Sequence, residues 1–128
     1  MNTLSPNQPE NSGSWPNGWR VSVVSETGST NTDLLASAHG GAAHHSVLMA
    51  QFQSAGKGRL DRTWVAEPGS NLLVSLLFRF DSTITRPTHQ FTQMVGMAAA
   101  LASEQLVAVK LEMKWPNDLL IDGKKVSG

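Results

Sequence analysis

The stretch Gln53-Ser54-Ala55-Gly56-Lys57-Gly58-Arg59-Leu60-Asp61-Arg62-Thr63-Trp64 sets two glycines around a lysine, then two arginines, and closes on a tryptophan. Glycine lets a backbone approach a ligand where a side chain would collide, and Lys57, Arg59 and Arg62 are cations able to hold phosphate or carboxylate. Such a loop alone is weak evidence, because solvated surface turns share its composition. It is not a Walker A loop, since Gly58 is not followed by Lys-Ser/Thr, and the chain has no GxGxxG. Two further stretches strengthen it: Glu26-Thr27-Gly28-Ser29-Thr30-Asn31 upstream, and Lys114-Trp115-Pro116-Asn117-Asp118-Leu119-Leu120 with Lys124-Lys125-Val126-Ser127-Gly128 downstream. Hydroxyls and free N–H groups at Ser29-Thr30-Asn31 suit a neutral polar ring that needs donors and acceptors, although helix capping alone would explain them.

The elements around these residues follow from local pattern. Residues 20–24 are a β-branched run that reads as a strand. A helix then opens at Ser29-Thr30-Asn31 and continues to about residue 38, with Leu34, Leu35 and Ala38 inward and Thr30 and Asp33 at capping-box spacing. Residues 47–52 form a strand that delivers Gln53 to the basic loop. Residues 71–80 are apolar on both faces, which predicts a central strand covered on both sides. Pro87 suits the first turn of a helix to about residue 107, whose stripe Phe91, Met94, Val95, Ala98, Leu101 and Ala102 reads as core. Pro116-Asn117-Asp118 is a turn between strands, and residues 119–121 and 125–128 pair across Asp122-Gly123 as a hairpin. Trp19 and Trp15 are expected to pack back on the body, and Trp64 reads as a core aromatic if it binds nothing. His44 and His45, adjacent in sequence, are expected to point apart, and no carboxylate lies at a ligand spacing from them. The fold class is α+β, a mixed sheet packed against helices.

The bulk numbers set limits. With 128 residues the chain is one domain at most and can build a modest core, and its formal net charge of +0 gives no electrostatic argument for nucleic acid or a membrane. The absence of cysteine removes disulfides and thiolate metal sites and fits a reducing cytoplasm. Residues 1–18 are rich in Ser, Asn, Pro and Gly, which predicts a disordered leader without signal-peptide character.

Taken in order and at their spacing, Ser29-Thr30-Asn31, the run from Gln53 to Trp64, the run from Lys114 to Leu119, and Lys125 with Gly128 resemble the biotin protein ligases, over residues 21–128. The matching part is the first half of that family's catalytic domain. The resemblance implies a class II aminoacyl-tRNA synthetase/biotin ligase-like domain in residues 19–128, truncated at its C-terminal side and without the family's small C-terminal domain. It implies an ATP- and Mg2+-dependent reaction that forms biotinyl-5′-adenylate and passes biotin to a lysine of a biotin carboxyl carrier protein. On the resemblance, Ser29, Thr30, Asn31, Gln53, Gly56, Arg59, Trp64, Lys125 and Gly128 would face biotin. Lys57, Gly58, Arg59, Arg62, Trp64, Lys114, Asn117 and Asp118 would face ATP or the adenylate. Lys125 resembles the family's catalytic lysine, Arg59 would bridge carboxylate and phosphate, and Asp118 would help position the metal or Lys125. The glycine loop would fold over bound ligand and exclude water.

The chain departs from the family in two places. Lys57 stands where arginine is common, and Asp61-Arg62 where Gly-Arg is common, which implies a weaker grip on the adenylate. The leader is too short and polar for the helix-turn-helix that some members carry, so no DNA partner and no repressor role are expected. The resemblance leaves a homodimer open. The competing readings are a lipoate or octanoate ligase-type acyltransferase, which shares the fold, and a truncated, non-catalytic ligand-binding fragment.

Overall fold

The computed structural model describes residues 15–81, 83 and 88–128. Most of the expected leader, residues 1–14, and the expected helix-opening Pro87 lie outside the described residues. The rest divides into two compact units, Met1–Asp81 and Ser82–Gly128.

In the first unit the valine-rich run becomes β1 (Arg20–Thr27), followed by α1 (Thr30–His39), β2 (Ser46–Gln53) and β3 (Leu73–Leu77). β1 and β2 pair in parallel, joined by α1 as a crossover, while β3 returns antiparallel to β2, so this sheet is mixed. The core sits on β2, where Val47, Leu48 and Ala50 are buried together with Leu73 of β3 and Leu34 of α1. Arg79 secures the end of α1: its guanidinium donates to the carbonyls of Ala38 and Ala42 at 2.6 and 2.7 Å, a cation where helix carbonyls lack intrahelical partners.

Several sequence expectations change here. The central strand is β2, and β3 lies at an edge of the sheet among the described residues. Leu73, Ser75 and Leu77 share the face that α1 covers, whereas Leu72 and Leu76 on the opposite face remain exposed, so the two-sided apolar pattern does not correspond to two covered faces. The helix cap is Ser29 and not Thr30, for the Ser29 side chain accepts from the Thr32 N–H, and the Asp33 carboxylate instead accepts from the Thr27 hydroxyl. With the cap one residue earlier, Leu34 faces the sheet and Leu35 faces outward, 56% exposed. The rings of His44 and His45 do not diverge but lie 3.6 Å apart, because His45 takes a left-handed backbone conformation at φ 64°. Trp19 stacks on His45 at 4.5 Å with Phe78 edge-on to both, so this tryptophan does fold back, while Trp15 is half exposed.

The second unit holds α2 (Thr88–Leu106) and an antiparallel sheet of β4 (Glu112–Lys114), β5 (Asp118–Ile121) and β6 (Lys124–Ser127). The strands are thus distributed over two three-stranded sheets. The expected hairpin forms, with Asp122 and Gly123 both at positive φ, as a two-residue turn requires. α2 packs on β4 and β5 through a different face from the expected one. Gly96 approaches Met113 and Ala100 is buried, while Met94, Val95 and Leu101 of the expected stripe stay exposed. Small residues let the helix come close to the sheet, so the buried face is the one with the least bulk.

Candidate functional site

The parallel register of β1 and β2 places their carboxyl ends side by side, with Thr27 opposite Gln53. The pairing continues past both strands: Ser54 N–H donates to the Thr27 carbonyl at 2.9 Å and Ala55 N–H to that of Gly28 at 2.8 Å. The start of α1 and the start of the basic loop, far apart in sequence, are therefore neighbours. The carboxyl ends of parallel strands are where α/β sheets commonly bind ligands, because loops and helix N-termini converge there.

Within this first cluster, Ser29 and Thr30 are buried, 4% and 3% exposed, and Gln53 is half-buried. The Thr30 N–H and hydroxyl both meet Gln53 Oε1, at 2.8 and 2.9 Å, and the Thr30 hydroxyl also lies 2.9 Å from that of Ser75. Asn31 is exposed on the first turn of α1. The carboxamide of Gln53 thus ties the helix N-terminus to the end of β2.

The basic loop is a small closed hairpin. Trp64 N–H donates to the Gly56 carbonyl at 2.8 Å, Lys57 pairs with Thr63, and Gly58 N–H donates to the Arg62 carbonyl at 2.6 Å. Leu60 and Asp61 make the tip, both with positive φ, 55° and 59°. Asp61 occupies the position where glycine is common in the resembling family, and aspartate is among the residues that tolerate this conformation. Gly56 is buried, and a Cβ there would run into the Trp64 carbonyl oxygen and lie 3.2 Å from Gln53 Nε2. Lys57, Arg59 and Arg62 are exposed around this frame and Trp64 is half-buried, so the cations surround a fixed backbone.

A second cluster of candidate residues lies wholly in the second unit. Lys114 stands opposite Asp118 across β4 and β5, with Trp115, cis-linked to Pro116, and Asn117 forming the connection. Lys125 Nζ is 2.9 Å from Asp118 Oδ1. Gly128 adjoins this pair closely: a Cβ there would stand 2.6 Å from Lys125 Cε, 2.7 Å from Nζ and 3.0 Å from Asp118 Oδ1. The glycine therefore leaves room for the lysine to reach its carboxylate.

Of the residues singled out in the sequence, Ser29, Thr30, Asn31, Gln53, Gly56, Lys57, Gly58, Arg59, Arg62 and Trp64 fall in the first unit, and Lys114, Asn117, Asp118, Lys125 and Gly128 in the second. Two participants escaped the sequence reading. Ser75 sits in an apolar strand with no signal beyond a polar residue on the buried face, and Thr27 reads merely as the end of a strand. No group of three or more His, Cys, Asp or Glu able to hold a metal ion occurs among the described residues. No helix of the described residues is long and apolar enough to cross a membrane.

Comparison with known proteins gives the family and the fold. Residues 23–128 match the model of the biotin/lipoate A/B protein ligase family. The chain is 38% identical over 116 residues to a biotin–[acetyl-CoA-carboxylase] ligase of Mycobacterium tuberculosis, covering 87% of this chain and 44% of the relative. It is 34% identical over 106 residues to the bifunctional ligase/repressor BirA of Bacillus subtilis, covering 83% of this chain and 31% of the relative. Among solved structures, the biotin protein ligase from Aquifex aeolicus in complex with biotin and ATP superposes with a TM-score of 0.74 at 28% identity, covering 85% of this chain and 44% of that one. The chain thus spans less than half the length of these relatives. A mixed sheet with helices, a basic glycine loop beside a helix N-terminus, and these matches have one reading: the chain belongs to the biotin/lipoate A/B protein ligase family, with the α+β fold of a biotin protein ligase catalytic domain.

Proposed function

We propose that this chain carries the biotin- and adenylate-handling part of a biotin protein ligase, which condenses biotin with ATP to biotinyl-5′-adenylate and passes the biotinyl group to a lysine of a biotin carboxyl carrier protein. The observation that carries the proposal is the meeting of the Ser29-Thr30 helix start, Gln53 and the closed basic loop at the carboxyl ends of two parallel strands. The structural neighbour described as a complex with biotin and ATP supports the choice of substrates.

The chemistry asks for what these residues offer. In the first step a biotin carboxylate oxygen attacks the α-phosphorus of ATP and pyrophosphate departs. Two anions must approach, and their repulsion falls when cations lie on both. Arg59 can span carboxylate and phosphate with its planar fork, while Lys57 and Arg62 add charge on a backbone already folded to receive it. Lys125 would stabilise charge building during transfer, and the Asp118 carboxylate holds its ammonium in place between turnovers. Magnesium, when bound with the nucleotide, would neutralise phosphate charge. In the second step the ε-amine of the carrier lysine attacks the acyl carbon, AMP leaves and a proton is lost from the amine. Before that step the basic loop would fold over the adenylate and shield it from water.

The proposal is tested by native mass spectrometry of the chain incubated with biotin, lipoate and Mg-ATP together. A retained mass equal to biotinyl-adenylate is the expected result. A lipoyl-adenylate would transfer the site to the lipoate branch of the family, and a folded protein that retains neither adduct would overturn adenylation by this chain.

A further inference from the structure

We infer that Ser75 is a positioning residue of the site: by committing the Thr30 hydroxyl proton to Gln53, it reinforces the facing of the Gln53 carboxamide that the Thr30 N–H sets, and so the groups that side chain presents to a ligand. The inference rests on the biotin reading and extends it to a residue in the middle of β3.

The order of protons follows from chemistry at three short contacts. A backbone N–H is only a donor, so the Gln53 atom 2.8 Å from Thr30 N is the carbonyl oxygen Oε1. That oxygen carries no hydrogen, so the Thr30 hydroxyl, 2.9 Å away, must donate its single proton to it. The Ser75 hydroxyl, 2.9 Å from Thr30 Oγ1, then has to be the donor in its own bond, since Thr30 has no proton left to give. The chain runs one way, from Ser75 through Thr30 to Gln53. Thr30 is 3% exposed, so water has little access to replace a missing link.

Holding Oε1 inward has a consequence at the other end of the amide. Nε2 is turned toward Gly56, where a Cβ would stand 3.2 Å from it, and its two hydrogens are offered beside the basic loop. Two N–H donors on a fixed amide suit a carbonyl-type oxygen acceptor, such as that of a cyclic urea. A dithiolane ring has no such oxygen. Without Ser75 the Thr30 hydroxyl is freed to rotate and the Gln53 amide loses part of what distinguishes its two ends. A purely structural serine would contribute only to stability.

The test compares the full chain with Ser75→Thr, which keeps the hydroxyl in a strand-favouring residue, and Ser75→Val, which has the same shape without it. Calorimetric titration with biotin is expected to show about threefold to tenfold weaker binding for the Val variant and near-native binding for the Thr variant, the range that one net hydrogen bond gives. Hydrogen exchange of the Thr30 amide in the ligand-free protein should quicken in Ser75→Val only. Wild-type affinity in a folded Val variant overturns the role of Ser75, as does equal weakening in both variants, which would point to packing. A folded wild-type chain that binds no biotin overturns the biotin reading and the ligand given to Gln53, a result distinct from either of these.

Discussion

The two clusters of candidate residues, one in each unit, are held in opposite ways. In the first unit the residues are bound into the fold: Ser29 and Thr30 are buried, Gln53 joins a helix start to a strand end, and the basic loop closes through backbone hydrogen bonds. In the second, the side chains of Lys125 and Asp118 are 44% and 23% exposed, on the two strands of the β5–β6 hairpin, and form an ion pair. Exposed ion pairs contribute little to stability, whereas a buried amide left without its acceptor costs about 1–3 kcal/mol. On the proposed function, recognition geometry in the first unit is coupled to folding, and the Lys125 ammonium rests on partly exposed contacts. Substitutions in the first cluster should change stability and binding together, and those in the second should change rate alone.

The largest expected effect tests the second half of that statement. Lys125→Met removes the ammonium and keeps most of the stem. Biotin-dependent pyrophosphate release should fall about 100- to 1000-fold, as when other electrostatic stabilisers of a transition state are deleted. The urea unfolding midpoint should scarcely move, consistent with less than ~1 kcal/mol for an exposed pair. A large loss of stability would show that the lysine is structural and abolish the contrast.

Next in size is Gly56→Ala, which tests the first half. The new methyl would meet the Trp64 carbonyl oxygen, a backbone atom that cannot turn away as a side-chain tip can. Relief requires the hairpin to open, with a loss of about 1–3 kcal/mol, the usual range for overpacking. Urea unfolding should report the loss, and biotin affinity should fall with it. Weaker binding without loss of stability would mean that the loop is not part of the cooperative fold.

The same contrast governs how much was legible in the sequence. The glycine loop, the Ser29-Thr30-Asn31 start and the Lys114 to Gly128 run could be read because their residue types are costly or conformationally special, and the helix and hairpin boundaries followed from local periodicity and turn chemistry. What escaped depends on partners distant in sequence. The parallel register that sets Thr27 opposite Gln53 has no local signature, and Ser75 looks like a lapse in an apolar strand until Thr30 is seen above it. The inward face of α2 departs from the apolar stripe because bulk does not mark burial here: Gly96 and Ala100 let the helix approach Met113. Lys125 was identified by resemblance alone, for nothing in Lys124-Lys125 tells which lysine meets a carboxylate.

A smaller effect separates position from charge in the second cluster. In Gly128→Ala the methyl would crowd Lys125 Cε and Nζ, which sit on a flexible side chain and can swing away. The fold should be unaffected, but the ammonium would leave Asp118, and adenylation should slow by about tenfold, equivalent to 1.4 kcal/mol. Asp118→Asn should produce a similar slowing by removing the charge that holds the lysine. If Gly128→Ala instead matched Lys125→Met, the glycine itself would be engaging substrate.

The smallest effect lies at Lys57, an exposed cation on the backbone-paired loop, and so a residue of the first cluster that should behave like one of the second. Lysine supplies a point charge, whereas arginine offers a planar fork that can bond two oxygens of a phosphate or of a phosphate and a carboxylate together. Lys57→Arg should leave unfolding unchanged and slow release of biotinyl-adenylate a few-fold, as followed by the decay of the retained adduct in a chase with unlabelled biotin. The backbone at this position is already fixed by its pairing with Thr63, so the longer side chain changes only the head group presented. Unchanged or faster release would mean that the closed backbone holds the intermediate and that the identity of the cation at this position is immaterial.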